Sequence, residues 1–208
     1  ERVDVGLHGR RCAREHLAEP VAMPRFHEAL PSVALDDIPK YLSLMSTESI
    51  EVLGSPFYLP ALANQTAWSN KHIARFKDMI RSVSRITISR GTGRGAALGI
   101  IRLRPAAGSE ENLRNALREQ FDPAKLDGII SMHLLENDPA LSKPITDDPK
   151  APNPGAGDWF VLIDATDVGA VPGVSARIKD NAAIKPLVVS HGVYRLMWDL
   201  AKSDLPRG

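Results

Sequence analysis

The alternation of apolar and polar positions is clearest in the second half of the chain. Residues 96–103, "AALGIIRL", read as a strand bounded upstream by the glycine-rich "GTGRG" and downstream by Pro105. A helix follows. Ser109 suits the N-cap, Glu110 and Glu111 occupy the first turn, and Leu113, Ala116, Leu117 and Phe121 recur at helical spacing until Pro123 stops the run. "GIISMHLLEN" at 128–137 is the next strand. The proline-rich stretch 138–157 cannot hold a hydrogen-bonded ladder and is expected to be a surface loop more mobile than its flanks. "WFVLIDA" at 159–165 resumes a strand. Residues 168–181 predict a short helix with Val171, Val174 and Ile178 on one side, confined to its second half by Pro172 and Gly173. "LVVSHGVYRLMWDL" at 187–200 closes the half as a strand pair or one bent strand. The order is β-α-β-β-α-β.

The first half follows the same order in different letters. "HGRRCAREHLAE" at 8–19 predicts a helix, "FHEALPSVA" at 26–34 a broken strand, and "KYLSLMS" at 40–46 a strand. Ser55 and Pro56 fit the N-cap and first position of a helical stretch interrupted by Pro60 and "NQTAWS". A second helix is marked by Ile73, Phe76 and Ile80, and "VSRITISR" at 83–90 is the closing strand, with Ile86 and Ile88 on one face. The opening strand is absent or reduced to "VDVGL" at 3–7. Two such units predict an α+β fold of two ferredoxin-like modules in tandem, residues 1–92 and 93–208. Helices cover one face of each sheet, so the opposite faces are expected to pack on each other as an α+β barrel.

Composition narrows the function classes. A chain of 208 residues that is 43% hydrophobic can bury a core of its own. Its formal net charge of +1, with both signs dispersed, offers no basic stripe for a phosphate backbone, so nucleic acid is not an expected partner. No apolar run approaches the roughly 20 residues of a membrane span. The single cysteine, Cys12, excludes a disulfide within the chain, and with no leader pattern visible a reducing cytoplasm is the expected location.

One long stretch resembles a known family. "KYLSLMSTESIEVLGSPFYLPALANQTAWS" is similar to the pattern of dimeric α+β barrel proteins related to EthD, in which a strand leads to a Ser-Pro-x-Tyr helix start and an Asn-x-Thr-x-Trp turn. Upstream, "EHLAEPVAMPRF" resembles their Glu-His-Leu-Pro-Glu-Arg-x-x-x-Pro-Gly-Phe segment. The resemblance covers residues 14–69 and extends to the second half only in element order. It implies a barrel-type fold with a small hydrophobic pocket and leaves room for a homodimer.

Candidate chemistry centres on two histidines. If residues 8–19 are helical, His16 lies in the last turn, where it either packs against terminal carbonyls or reaches the barrel mouth as general acid or base. In "GIISMHLLEN" alternation puts Ile130, Met132 and Leu134 under the helices and Ser131, His133 and Leu135 on the barrel side. His133 with Ser131 is therefore a pocket candidate, with a hydrogen-bonded core histidine as the alternative. On the last strand Arg195 shares a face with Val193 and Met197, opposite Tyr194, Leu196 and Trp198, and one of these sets faces the pocket. There Arg195 either holds a carboxylate or phenolate or forms an ion pair with Asp164 or Asp199. Trp68 and Tyr58 are the aromatic ligand-contact candidates of the first half, with packing in the core or turn as the alternative.

Other signals carry less. "GTGRG" lacks a following helix N-terminus, so a hairpin turn is expected in place of a phosphate cradle. The histidines never show the i, i+4 spacing of a zinc helix, and no metal or other cofactor is expected. Two function classes remain: a cofactor-independent enzyme of isomerase, lyase or monooxygenase type, acting on a small hydrophobic or aromatic molecule with one histidine as proton shuttle, and a non-catalytic binder of such a molecule. A haem-binding ferredoxin-like barrel is a further alternative, for which no residue here selects an axial ligand.

Overall fold

A computed structural model describes residues 17–206 apart from 36, 38, 74–78 and 144–154, together with all side chains in that range except those of 68, 72 and 73. The expected opening strand, His16 with most of the 8–19 helix, the middle of the helix through Phe76, and the centre of the 138–157 loop lie outside the described residues.

The described strands form one eight-stranded sheet. Its members are β1 (Phe26–Ala34), β2 (Tyr41–Thr47), β3 (Ser84–Gly91), β4 (Ala97–Leu103), β5 (Ile129–Asn137), β6 (Trp159–Ala165), β7 (Val188–Leu196) and β8 (Leu200–Ala201). The order is β2-β1-β7-β4-β6-β5-β3, with β8 paired to β1 and every pair antiparallel. Within it, the second half of the chain contributes the neighbouring strands β7-β4-β6-β5, the order found in a ferredoxin-like unit. The N-terminal strands extend this sheet at both edges, β1 and β2 beyond β7 and β3 beyond β5. The α+β barrel architecture is therefore reached by one antiparallel, strongly curled half-barrel, where two facing sheets were expected. Two contacts require the curl: Arg85 of β3 meets Glu51, just after β2, at 3.4 Å, and Arg94, just after β3, meets Glu28 of β1. Both join elements at opposite ends of the strand order.

Helices cover the convex face. α1 (Ala18–Ala22) packs Val21 and the preceding Leu17 on Ala29. α2 (Tyr58–Ala63) and α3 (Ala67–Ile73) follow β2, with Ser55 Oγ and Thr66 Oγ1 accepting from the Tyr58 and Ser69 amides as N-terminal caps. α4 (Glu110–Gln120) and α5 (Val171–Asp180) bury Leu113, Leu117, Val174 and Ile178 against Ile101, Leu103, Met132, Leu134, Val161 and Ile163. Burying each such side chain contributes about 1.5–3 kcal/mol relative to leaving it in water. No helix among the described residues is long and apolar enough to cross a membrane.

Three local expectations change for physical reasons. β1 is continuous through Pro31, because there the strand passes from its β7 partners, which end at Ser32, to its β8 partners at Ala29. The missing N–H falls in the gap. α5 starts at Val171, with Pro172 in the first turn where no intrahelical donor is needed. In β3 a bulge between Ile86 and Ile88 breaks the alternation. Ile88 is buried under the helices, while Ile86 pairs with Leu135 on the concave side and is 58% exposed.

Candidate functional site

The concave face is set by register. His133 pairs with Leu162, Leu98 with both Asp164 and Tyr194, and Tyr194 with Ala34, and paired residues point to the same side of a sheet. Leu98, Leu162, Tyr194 and Ala34 form an apolar cluster there, joined by Leu42, Leu44, Ile100 and Leu135. Tyr194 is held over Gly192, and its hydroxyl donates to the Pro39 carbonyl at 3.0 Å. Burial, and then Asp37, raise its phenol above the ordinary tyrosine range.

Beside this cluster lies a hydrogen-bonded chain of four side chains. His133 Nδ1 is 2.9 Å from the Ser89 hydroxyl and Nε2 is 3.1 Å from the Ser131 hydroxyl. Ser131 Oγ also lies 3.0 Å from the Gly93 carbonyl and 3.3 Å from Asp164 Oδ2. A hydroxyl has one hydrogen, and these two acceptors claim it, so the Ser131 oxygen accepts from His133 Nε2–H. The Nε2–H tautomer follows, with the Nδ1 lone pair directed at the exposed Ser89. Ser131 is fully buried and is not activated as a nucleophile by this arrangement. It carries the influence of the Asp164 carboxylate to the ring.

Electrostatics favour the uncharged forms. Burial lowers the His133 pKa below its ordinary 6.5, Asp164 opposes that shift and Arg94 adds to it. Burial raises the Asp164 carboxyl above its ordinary 3.8, opposed by the Gly95 amide, His133, Ser131 and Arg94. At neutral pH His133 is therefore unprotonated at Nδ1, whose lone pair accepts from the Ser89 hydroxyl, and Asp164 stands behind the ring to stabilise an imidazolium once a proton arrives.

The segment 91–95, "GTGRG", makes this possible. It does not form a hairpin, because β5 and β6 lie between β3 and β4 in the sheet. It crosses the ends of those two strands, with Gly91 at φ 78° and Gly93 at φ 107°. A Cβ at Gly91 would stand 2.2 Å from the Ile130 carbonyl oxygen, and one at Gly95 would stand 1.8 Å from that of Ala165. The backbone can thus lie flat enough for the Gly93 carbonyl to reach Ser131 and the Gly95 amide to reach Asp164.

Of the sequence-predicted site residues, Ser131 and His133 are brought together. Arg195 is not. It pairs with Ala97 of the helix-side core and is exposed on the convex face, so it is Tyr194 and Leu196 of that strand that look inward, and Asp164 lies on the other side from Arg195. Tyr58 is buried against Phe26, ring centroids 5.5 Å apart, in a cluster with Val52 and takes no part in the His133 chain. Trp68 falls in α3, its side chain outside the described residues, as is His16. Asp164, Ser89 and Arg94 were missed as site residues. Asp164 is the lone acid at the end of an apolar strand, a signal that needs the β5–β6 register to acquire meaning. A surface groove of about 530 Å³ lies elsewhere, lined in part by Arg90, Arg118, Glu119 and Asp122, and includes neither His133 nor Arg195. Among the described residues no group of three or more His, Cys, Asp or Glu side chains could hold a metal ion.

A curled antiparallel sheet with helices on its convex face is a fold of α+β barrel type. Solved structures bear this out for the fold. An anthrone oxidase-like protein superimposes with a TM-score of 0.59 over 89% of this chain and 84% of its own, at 9% identity. A candidate monooxygenase from Fusobacterium nucleatum subsp. nucleatum does so with a TM-score of 0.56 over 97% and 90%, at 6% identity. At such identities the likeness is one of fold. No family profile and no curated protein matches the sequence.

Proposed function

We propose that the chain is a cofactor-independent enzyme of isomerase, lyase or monooxygenase type that moves a proton at a small hydrophobic or aromatic molecule held on the concave face. One observation carries this reading: the Ser89–His133–Ser131–Asp164 chain beside the Leu98, Leu162 and Tyr194 cluster. A substrate that displaces the Ser89 hydroxyl meets the Nδ1 lone pair and gives up a proton from an acidic C–H or a phenol. The resulting imidazolium donates through Nε2 to Ser131, which Asp164 backs. The description of one fold neighbour as anthrone oxidase-like supports an aromatic substrate.

The test is deuterium exchange at the activated methylene of a small aromatic ketone such as 2-indanone. His133→Gln should lower the protein-dependent exchange rate by about 10²-fold, and exchange unaltered by that substitution removes His133 as the base.

A pH prediction follows with its sign. A histidine whose folded pKa is depressed binds fewer protons than in the unfolded chain, so its contribution to stability is complete above 6.5 and is lost as pH falls through the folded value. Asp164 has the opposite sign, its contribution lost as pH rises from 3.8 through its raised folded value. Urea denaturation of parent and His133→Gln across pH 4–7 should show the variant with a shallower fall toward acid. An unchanged pH profile would mean that His133 does not titrate differently in the fold.

A further inference from the structure

The chemistry of the His133 chain does not use Arg94. It sits on the glycine segment at the mouth of the concave face, and its Nη2 contacts Glu28 Oε1, to which the Ser46 hydroxyl also donates at 2.8 Å. The two side chains are 38% and 20% exposed, so water and solutes reach the pair. The guanidinium acts on both His133 and Asp164. Among the described residues Glu28 is its only hydrogen-bonded partner, leaving further N–H groups of the fork for a ligand.

A planar, permanently charged donor fork beside an apolar wall fits one ligand chemistry: a flat apolar body bearing an acidic group. Resting on the proposed catalytic reading of His133, we infer that Arg94 is the anion anchor of this site, and that the substrate class is a small aromatic acid whose carboxylate takes the place of Glu28 on the guanidinium. Glu28 holds Arg94 ready and competes with the ligand. Two consequences have opposite signs. Removing the arginine abolishes the preference for an acid, whereas neutralising Glu28 strengthens acid binding by removing the competitor. A bound carboxylate also adds an anion to the His133 side of the site, which favours the imidazolium, so acid binding raises the imidazole pKa.

The experiment titrates the parent with 2-naphthoate and with 2-naphthamide, equal in shape and different in charge, following heat and the His133 ring resonances. The acid should bind about tenfold tighter than the amide, the scale of one charge-assisted bidentate contact. Arg94→Met and, in parallel, Arg94→Gln should equalise the two ligands, and Glu28→Gln should improve the acid by about threefold or more while leaving the amide unchanged. An acid preference that survives loss of Arg94, or Glu28→Gln leaving acid binding the same or weaker, overturns the anchor. Amide bound at His133 with no preference for the acid overturns the anchor and leaves the catalytic reading standing. Binding of neither probe overturns the anchor, and the 2-indanone exchange decides the catalytic reading by itself.

Discussion

Asp158→Ala should lower the stability of the fold by about 3–5 kcal/mol, the range for removing one partner of a buried ion pair. Asp158 is fully buried just before β6, at the opposite end of that strand from Asp164. It accepts from Arg102 Nε, and from Arg104 through Nε at 2.7 Å and Nη2 at 3.0 Å. Arg102 is only 11% exposed, so losing the carboxylate leaves a cation with little access to water, whereas Arg104 is 58% exposed and can rehydrate. The asymmetry separates two variants. Arg104→Ala should cost about 1–2 kcal/mol, because Arg102 still compensates the buried carboxylate, and Asp158→Ala clearly more. Urea denaturation reads both as midpoint shifts at constant slope, and equal effects would contradict this account.

Gly95→Ala should cost about 1–3 kcal/mol, as overpacking does, and should also disturb the site. The added Cβ meets a backbone oxygen, which cannot rotate away, so the 91–95 segment must lift from β5 and β6. Asp164 then loses the Gly95 amide, one of the influences that hold its carboxyl down, and rises further. A more neutral Asp164 supports the imidazolium less, so His133 falls further. Gly108→Ala is the comparison. Gly108 also has positive φ, at 82°, but a Cβ there meets nothing within 4 Å. It should lose stability through backbone strain alone, with the His133 titration unmoved. Imidazole NMR titrations of the two variants decide this, and an unchanged His133 in Gly95→Ala would detach the loop from the site.

The second half was legible in the sequence because each element carries its own punctuation. Pro105 and Ser109 bracket the gap between β4 and α4, Pro123 follows α4, and runs such as "WFVLIDA" are too apolar and too short for anything but an interior strand. The alternation in β5 placed Ser131 and His133 on the concave face. Alternation cannot say which parity of an isolated strand faces inward, and for β7 that was settled only by pairing with Ala97 and Leu98. It also fails wherever a bulge intervenes, as between Ile86 and Ile88. The partners of His133 come from three separate strands and a loop, so Asp164, Ser89 and Arg94 acquire a role only through long-range register. "GTGRG" was misread because its form depends on what lies beneath it, and the flanking letters of a loop do not record whether its two strands are neighbours.

The strand order also bears on how the chain acquires its fold during synthesis. β1 and β2 can zip locally, but a lone hairpin is marginal in water, and the strand that would cover its inner edge, β7, is made only after β3, β4, β5 and β6. β3 likewise waits for β5. As the chain emerges N-terminal first, its early strands are edge pieces without a centre. Collapse can begin only when residues 97–196 have supplied the four middle strands and α4 and α5, after which the older segments add to both margins. Pairings of such long sequence separation are slow, and strand edges held open meanwhile are prone to intermolecular pairing. A ribosome-bound chain stalled before β7 should therefore be protease-sensitive at β1, β2 and β3, and protection of β1 and β2 should appear together with that of β7.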